Sequence, residues 1–103
     1  MTARRALLQF AKAPLLGHVK TRLCPPLSPQ QALAAHVELV HTTCKLLCQA
    51  TDAPLTLWTD QLLEHPMFRD CLGMGATRIR LQRGSDLGQR MLNALDLHLL
   101  WAD

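Results

Sequence analysis

The sequence has no tyrosine and only four aromatic residues, Phe10, Trp58, Phe68 and Trp101, in 103 positions. That shortage argues against a surface for single-stranded nucleic acid, where successive bases stack on rings. No helix carries the basic cluster of a duplex reader, so nucleic acid is not an expected partner. Acidic residues are missing from the first third. Arg4, Arg5, Lys12, Lys20 and Arg22 all precede the first acid, Glu38, within a net charge of +3. Metal-binding spacings are missing too. Cys24, Cys44, Cys48 and Cys71 form no CxxC, and His18, His36, His41, His65 and His98 form no HExxH. The apolar run after Arg5 is broken by Gln9 and Lys12, too soon for a signal core or a membrane span. Repeats and low-complexity tracts are absent. These gaps lead us to expect reduced core thiols, structural histidines and a cytoplasmic location.

What remains is an ordinary globular composition, 49% hydrophobic, long enough for one small domain across residues 1–103. Residues 5–11, RALLQFA, are mostly apolar and predict a buried strand. Pro14 and Gly17 break the pattern, so residues 13–26 predict a loop closed by Pro25 and Pro26. Ser28, Pro29 and Gln31 then open a helix with a capping box. Its stripe, Leu33, Val37, Val40, Cys44 and Leu47, runs to about residue 49, with His36 and His41 expected on the polar flanks. Residues 53–60 alternate as a second strand, and residues 62–73 hold short helical turns around Pro66. Residues 76–84 alternate again as a third strand. Asp86 and Gln89 cap a last helix with Leu87, Met91, Leu95 and Leu99 one turn apart.

This order predicts an α/β fold with a parallel, doubly wound sheet built by right-handed crossovers. Three strands leave two sheet edges and a thinly covered face. The chain therefore reads as the front half of a larger domain, β-α-β-α-β-α, with self-association through an exposed edge as one expectation.

In such a sheet the ligand crevice lies beyond the carboxyl ends of the strands. Residues 13–26, 59–61 and 82–88 are the loops that matter. The first brings Lys20 and Arg22 close in sequence, with Lys12 at the strand tip. An ammonium beside a forked guanidinium suits a diphosphate. The GHVKT at residues 17–21 is not a Walker loop, because Val19 stands where the last glycine belongs and Pro14 where the first does. Without those glycines no backbone nest forms, and side chains must hold the anion. The third loop places Ser85 and Asp86 at a helix start, where either Asp86 caps or a phosphate binds. Arg83 and Arg90 are exposed candidates for a phosphate contact. Asp60, at the tip of the second strand, is a weaker candidate for a ribose or base donor.

Two stretches carry a resemblance. LLQFAKAPLLGHVKTRL resembles the opening of a bacterial glycosyltransferase-like family related to nucleotide-diphospho-sugar transferases, FAK-P-PG-VKTRL-P-L. LQRGSDLGQRM resembles that family's second signature, Q-G-DLG-RM. The likeness covers the front half of a usual member. It departs at Leu16, where proline is usual, and at Gln89, where glutamate is usual. It implies a GT-A fold, a Rossmann-like three-layer sandwich, and binding of a nucleotide-sugar or nucleoside triphosphate with a divalent metal, Mg or Mn. Lys20 and Arg22 match the basic pair of the first signature, and Asp86, Gly88 and Arg90 match the second. The implied binding set is Lys12, Gly17, Lys20, Arg22, Asp86, Gly88 and Arg90, with no catalytic residue identified. The family's metal aspartate lies on a later strand in a G-S-D-x-P motif. The GSD at residues 84–86 belongs instead to the second signature. The expected function is glycosyl or nucleotidyl transfer from a nucleotide-linked donor. A non-catalytic remnant that binds nucleotide weakly, or only mediates assembly, is the alternative.

Overall fold

The computed structural model describes residues 6–24 and 26–101, the side chains of 96 and 98–101 excepted. Arg4, Arg5 and Pro25, and the side chains of His98, Leu99 and Trp101, lie outside the described residues. Strands β1 (Leu7–Ala11), β2 (Leu55–Thr59) and β3 (Arg78–Leu81) alternate with helices α1 (Pro29–Ala50), α2 (Pro66–Met74) and α3 (Leu87–Trp101). The strands form one parallel sheet in the order β1-β2-β3. Ala11, Thr59 and Leu81 stand level in register, so all three strands end at one rim. This is the partial Rossmann-like α/β arrangement that the element order predicts.

Alternation along the strands sorts the two faces. Leu7, Ala11, Leu55, Leu57 and Ile79 face α1 and α2, packing with Val40, Cys44, Met67, Phe68 and Cys71. Burying Leu57 alone contributes about 1.5–3 kcal/mol. Both crossover helices lie on this face, as right-handed connections moving one way along a sheet require. The opposite face carries Trp58 in register with Phe10 and Arg80. Phe10 and Trp58 stack there with centroids 6.4 Å apart. Asn93 and Leu97 of α3 stand across a cleft from Trp58 and Arg80 on that face. The expected stripe of α3 turns outward instead: Leu87, Met91 and Leu95 are exposed while Ala94 is buried.

Local chemistry explains the helix ends. Ser28 Oγ accepts from the Gln31 N–H at 3.2 Å, and Gln31 Oε1 accepts from the Ser28 N–H at 2.9 Å, closing the predicted box. Helix α2 begins where His65 Nδ1 accepts from the Met67 N–H at 3.0 Å, followed by Pro66 at the first helical position. It ends one residue beyond the expected Gly73, at Met74. Gly75, at φ 124°, donates to the Leu72 carbonyl while the Ala76 N–H reaches the Cys71 carbonyl. That is a Schellman ending, and its left-handed residue is where glycine is needed. At α3, Asp86 Oδ1 accepts from the Gln89 N–H at 2.8 Å, but the Gln89 amide turns forward to Asn93 rather than back.

The cysteines are free thiols, with Cys44 and Cys71 fully buried. Burial pushes the Cys44 thiol up to about 12, and burial raises Cys71 as well. Neither supplies a thiolate nucleophile.

Candidate functional site

The rim at the carboxyl ends of the strands is tied together by three cross-strand bonds. The Ala13 N–H donates to Asp60 Oδ1 at 2.7 Å, clasping the first loop to the second. The Gln82 N–H donates to the Thr59 carbonyl at 2.7 Å, and its side-chain amide to the Trp58 carbonyl at 2.9 Å. Asp60 thus serves first as the anchor of the first loop.

That loop is built in short steps. The His18 N–H donates to the Leu15 carbonyl at 3.0 Å, closing a four-residue turn with Gly17 third at φ 80°. A type II turn demands a positive φ at that place. Proline favours the second place, but any residue reaches its φ, so Leu16 keeps the turn that a proline there would pre-set. Val19 is buried and pins the loop to the body of the molecule. Lys20 follows in the left-handed region, at φ 52° and ψ 34°. For a residue with a Cβ this costs about 1–2 kcal/mol. Strain of this kind collects at functional sites, where surrounding structure holds it in place. A single 3₁₀ turn, Thr21–Leu23, carries Arg22 onward. Lys12, Lys20 and Arg22 are all exposed.

Lys12 and Lys20 stand on one cavity of about 310 Å³ between β1, the first loop and α1. Gln9, His36 and Thr43 also line it, and Arg22 lies outside this lining. His36 is not on a polar flank of α1. It sits four residues before Val40, and its ring turns inward to 5% exposure. Its Nε2–H donates to the Lys12 carbonyl at 2.8 Å, holding the strand tip against the helix. A carbonyl only accepts, so this bond fixes the tautomer with Nδ1 unprotonated. Burial lowers the His36 pKa, and Lys20 and Lys12 push the same way, against the Lys12 carbonyl bond and Asp60. Gln9 is the other residue that sequence reasoning passed over. The signal was a lone polar side chain inside an apolar strand. Its Nε2 donates to the Val40 carbonyl at 3.1 Å.

The third loop is braced within itself. Asp86 caps α3, Arg90 donates to the Gly84 carbonyl at 3.1 Å and to Gln82 Oε1 at 3.4 Å, and Asn93 donates to the Arg83 carbonyl at 2.7 Å. Asp86, Gly88 and Arg90 share the rim with the first loop but do not line the Lys12–Lys20 cavity. A larger cleft of about 760 Å³ runs under α3, lined by Trp58, Leu62, Arg83, Asn93 and Leu97. Among the described residues, no three His, Cys, Asp or Glu stand together as a metal site. The two acids at the rim are engaged with backbone N–H groups, Asp60 with Ala13 and Asp86 with Gln89. The residues described here do not fit a divalent metal, so no chemical step is drawn through one. Nor, among them, is any helix long and apolar enough to cross a membrane.

No family model and no curated protein matches the chain. One solved structure does, titled as a "putative nucleotide-diphospho-sugar transferase" from Desulfovibrio desulfuricans G20. The likeness has a TM-score of 0.66 at 25% identity over 91% of this chain. This chain spans 41% of that protein's length. The fold is therefore similar to that of part of a protein named as a nucleotide-diphospho-sugar transferase.

Proposed function

We propose that this chain carries the donor-binding part of a transferase that uses a nucleotide-linked donor, a nucleotide-sugar or a nucleoside triphosphate. One observation carries the reading. Lys12 and a strained Lys20 stand at one cavity by the carboxyl end of β1, in a fold similar to that of a protein titled as a nucleotide-diphospho-sugar transferase. Lys20 and Arg22 hold the diphosphate, the ammonium as a point charge and the guanidinium as a fork. The same charges stabilise the leaving nucleotide as its bond to the transferred group breaks. Gly17 shapes the loop that presents them. Asp86, Gly88 and Arg90 frame the opposite side of the rim at the α3 amino terminus. A divalent metal belongs to this proposal only with ligands beyond those described.

Calorimetric titration with UDP- and GDP-sugars, with and without Mn²⁺, tests the reading. We expect saturable binding that a Lys20→Ala, Arg22→Ala double substitution weakens by at least about tenfold, the effect of losing one to two charge-assisted hydrogen bonds. Equal binding by the double variant contradicts the clamp.

A further inference from the structure

Among the described residues the sheet has two unlike edges. Strand β3 ends it on one side and carries Arg78 and Arg80, while β1 ends it on the other as LLQFA, with no charge and no proline. Native sheets blunt an open edge with charge, proline or a bulge, because its main-chain N–H and C=O groups are a template for another strand. Strand β1 has none of these devices, and its register with β2 runs unbroken from Leu7 to Ala11. The Leu7 N–H donates to the Pro54 carbonyl at 2.9 Å, on the β2 side. Main-chain groups alternate sides along a strand, so Leu8 and Phe10 turn theirs to the open side. The cavity of about 310 Å³ lies there. It touches Gln9, Phe10, Ala11 and Lys12 in succession, and consecutive residues share an edge, not a face. Across it stands α1, through Leu39 and Thr43. Leu46, about two turns on from Leu39 and so on the same side of α1, extends that wall. Leu39 is 53% exposed and Leu46 61%.

We propose that β1 is a dimer edge, which pairs antiparallel with β1 of a second copy of this chain about a twofold axis at Gln9. In that register Leu8 meets Phe10 of the second copy, and Phe10 meets its Leu8. Each of these pairs exchanges both main-chain hydrogen bonds, which satisfies every outward group of the strand. The axis stands normal to the sheet, so both α1 helices lie on one face and their Leu39–Leu46 stripes meet across it. Self-pairing suits this edge and not the other. Nothing charged within LLQFA faces its own copy, whereas the same contact at β3 sets arginine against arginine. A contact that presents the same patch on both copies closes at two. The pairing ends at Ala11, and Lys12, Lys20 and Arg22 stand beyond it at the rim, so the inference does not depend on the nucleotide reading.

The test is sedimentation velocity over a wide concentration range, together with residue-resolved amide hydrogen exchange on the wild-type chain. We expect a monomer–dimer equilibrium, with exchange at Leu8 and Phe10 slowing as the dimer forms. Leu39→Glu puts a charge into the stripe at an exposed helix position and should weaken the dimer at least about tenfold, the worth of one buried leucine. Leu62→Glu, in the exposed loop after β2, should leave it unchanged, with circular dichroism confirming the fold of both variants. Exchange at Leu8 and Phe10 decides the matter even if Leu39→Glu fails to fold. A monomer at every concentration overturns the proposal. So does a dimer in which Leu8 and Phe10 exchange as fast as in the monomer, since the interface then lies elsewhere. Growth past two copies overturns it as well, because a twofold pairing closes.

Discussion

His36 shows how one side chain links the core to the rim. Its neutral ring is what the fold holds, because burial and two lysines lower its pKa. As pH falls through about 6.5, the unfolded chain takes up the proton first. The stabilisation is therefore complete above that pH and is lost as pH falls toward the lowered folded value. We predict that the wild-type melting midpoint drops more steeply between about pH 7 and pH 5 than that of His36→Gln, which keeps an amide donor for the Lys12 carbonyl and does not titrate. Asp60 gives a second prediction at this scale. Asp60→Ala strands the Ala13 N–H and should cost about 1–3 kcal/mol in urea unfolding, with Asp60→Asn recovering part of it through its remaining carbonyl oxygen. Neither role was legible in the sequence. Asp60 is read there as a ligand group and His36 as a polar-flank residue, because bonds from the strand-tip loop to α1 and β2 exist only once the chain has folded. The placing of Lys12 and Lys20 on one exposed loop at the end of β1 was legible, since the turn residues between them are local facts.

At the scale of elements, legibility followed local chemistry. The capping box of α1 was readable because Ser28 and Gln31 satisfy each other within four residues. Ser28→Ala should lower stability by about 1 kcal/mol, measured by thermal or urea unfolding. Strand β2 was readable from its alternation, and every residue of it is buried. Leu57→Ala removes a fully buried side chain from the centre of the sheet and should cost about 2–5 kcal/mol by the same measurement. The end of α2 was misjudged and the facing of α3 was not readable, for different reasons. Gly73 and Gly75 look alike in sequence, and only the left-handed ending tells them apart. The leucine stripe of α3 obeys helical spacing, yet spacing cannot say which side of a helix meets the sheet. The side bearing Ala94 and Leu97 turned inward instead, Ala94 buried and Leu97 on the cleft beside β3.

For the whole molecule, the strand order leaves β1 at an edge, with the basic loop at its carboxyl end and the clasped loops of β2 and β3 beside it. In an open parallel sheet the ligand crevice lies beyond the carboxyl ends of the strands, which is where this loop stands. The fold class and this rim were legible because parallel alternation admits few topologies. The unpartnered Gln9 Oε1 and His36 Nδ1 were not, since their lack of partners is a property of packing. The central claim is that an anionic nucleotide binds at the first loop, against β1 and α1, and not in the larger cleft under α3. Amide-resolved NMR titration with GDP tests it most directly. The account predicts shifts concentrated at residues 9–24, 36 and 43, abolished by Lys20→Ala with Arg22→Ala. Shifts confined to residues 78–83, 93 and 97, or none at all, would contradict it.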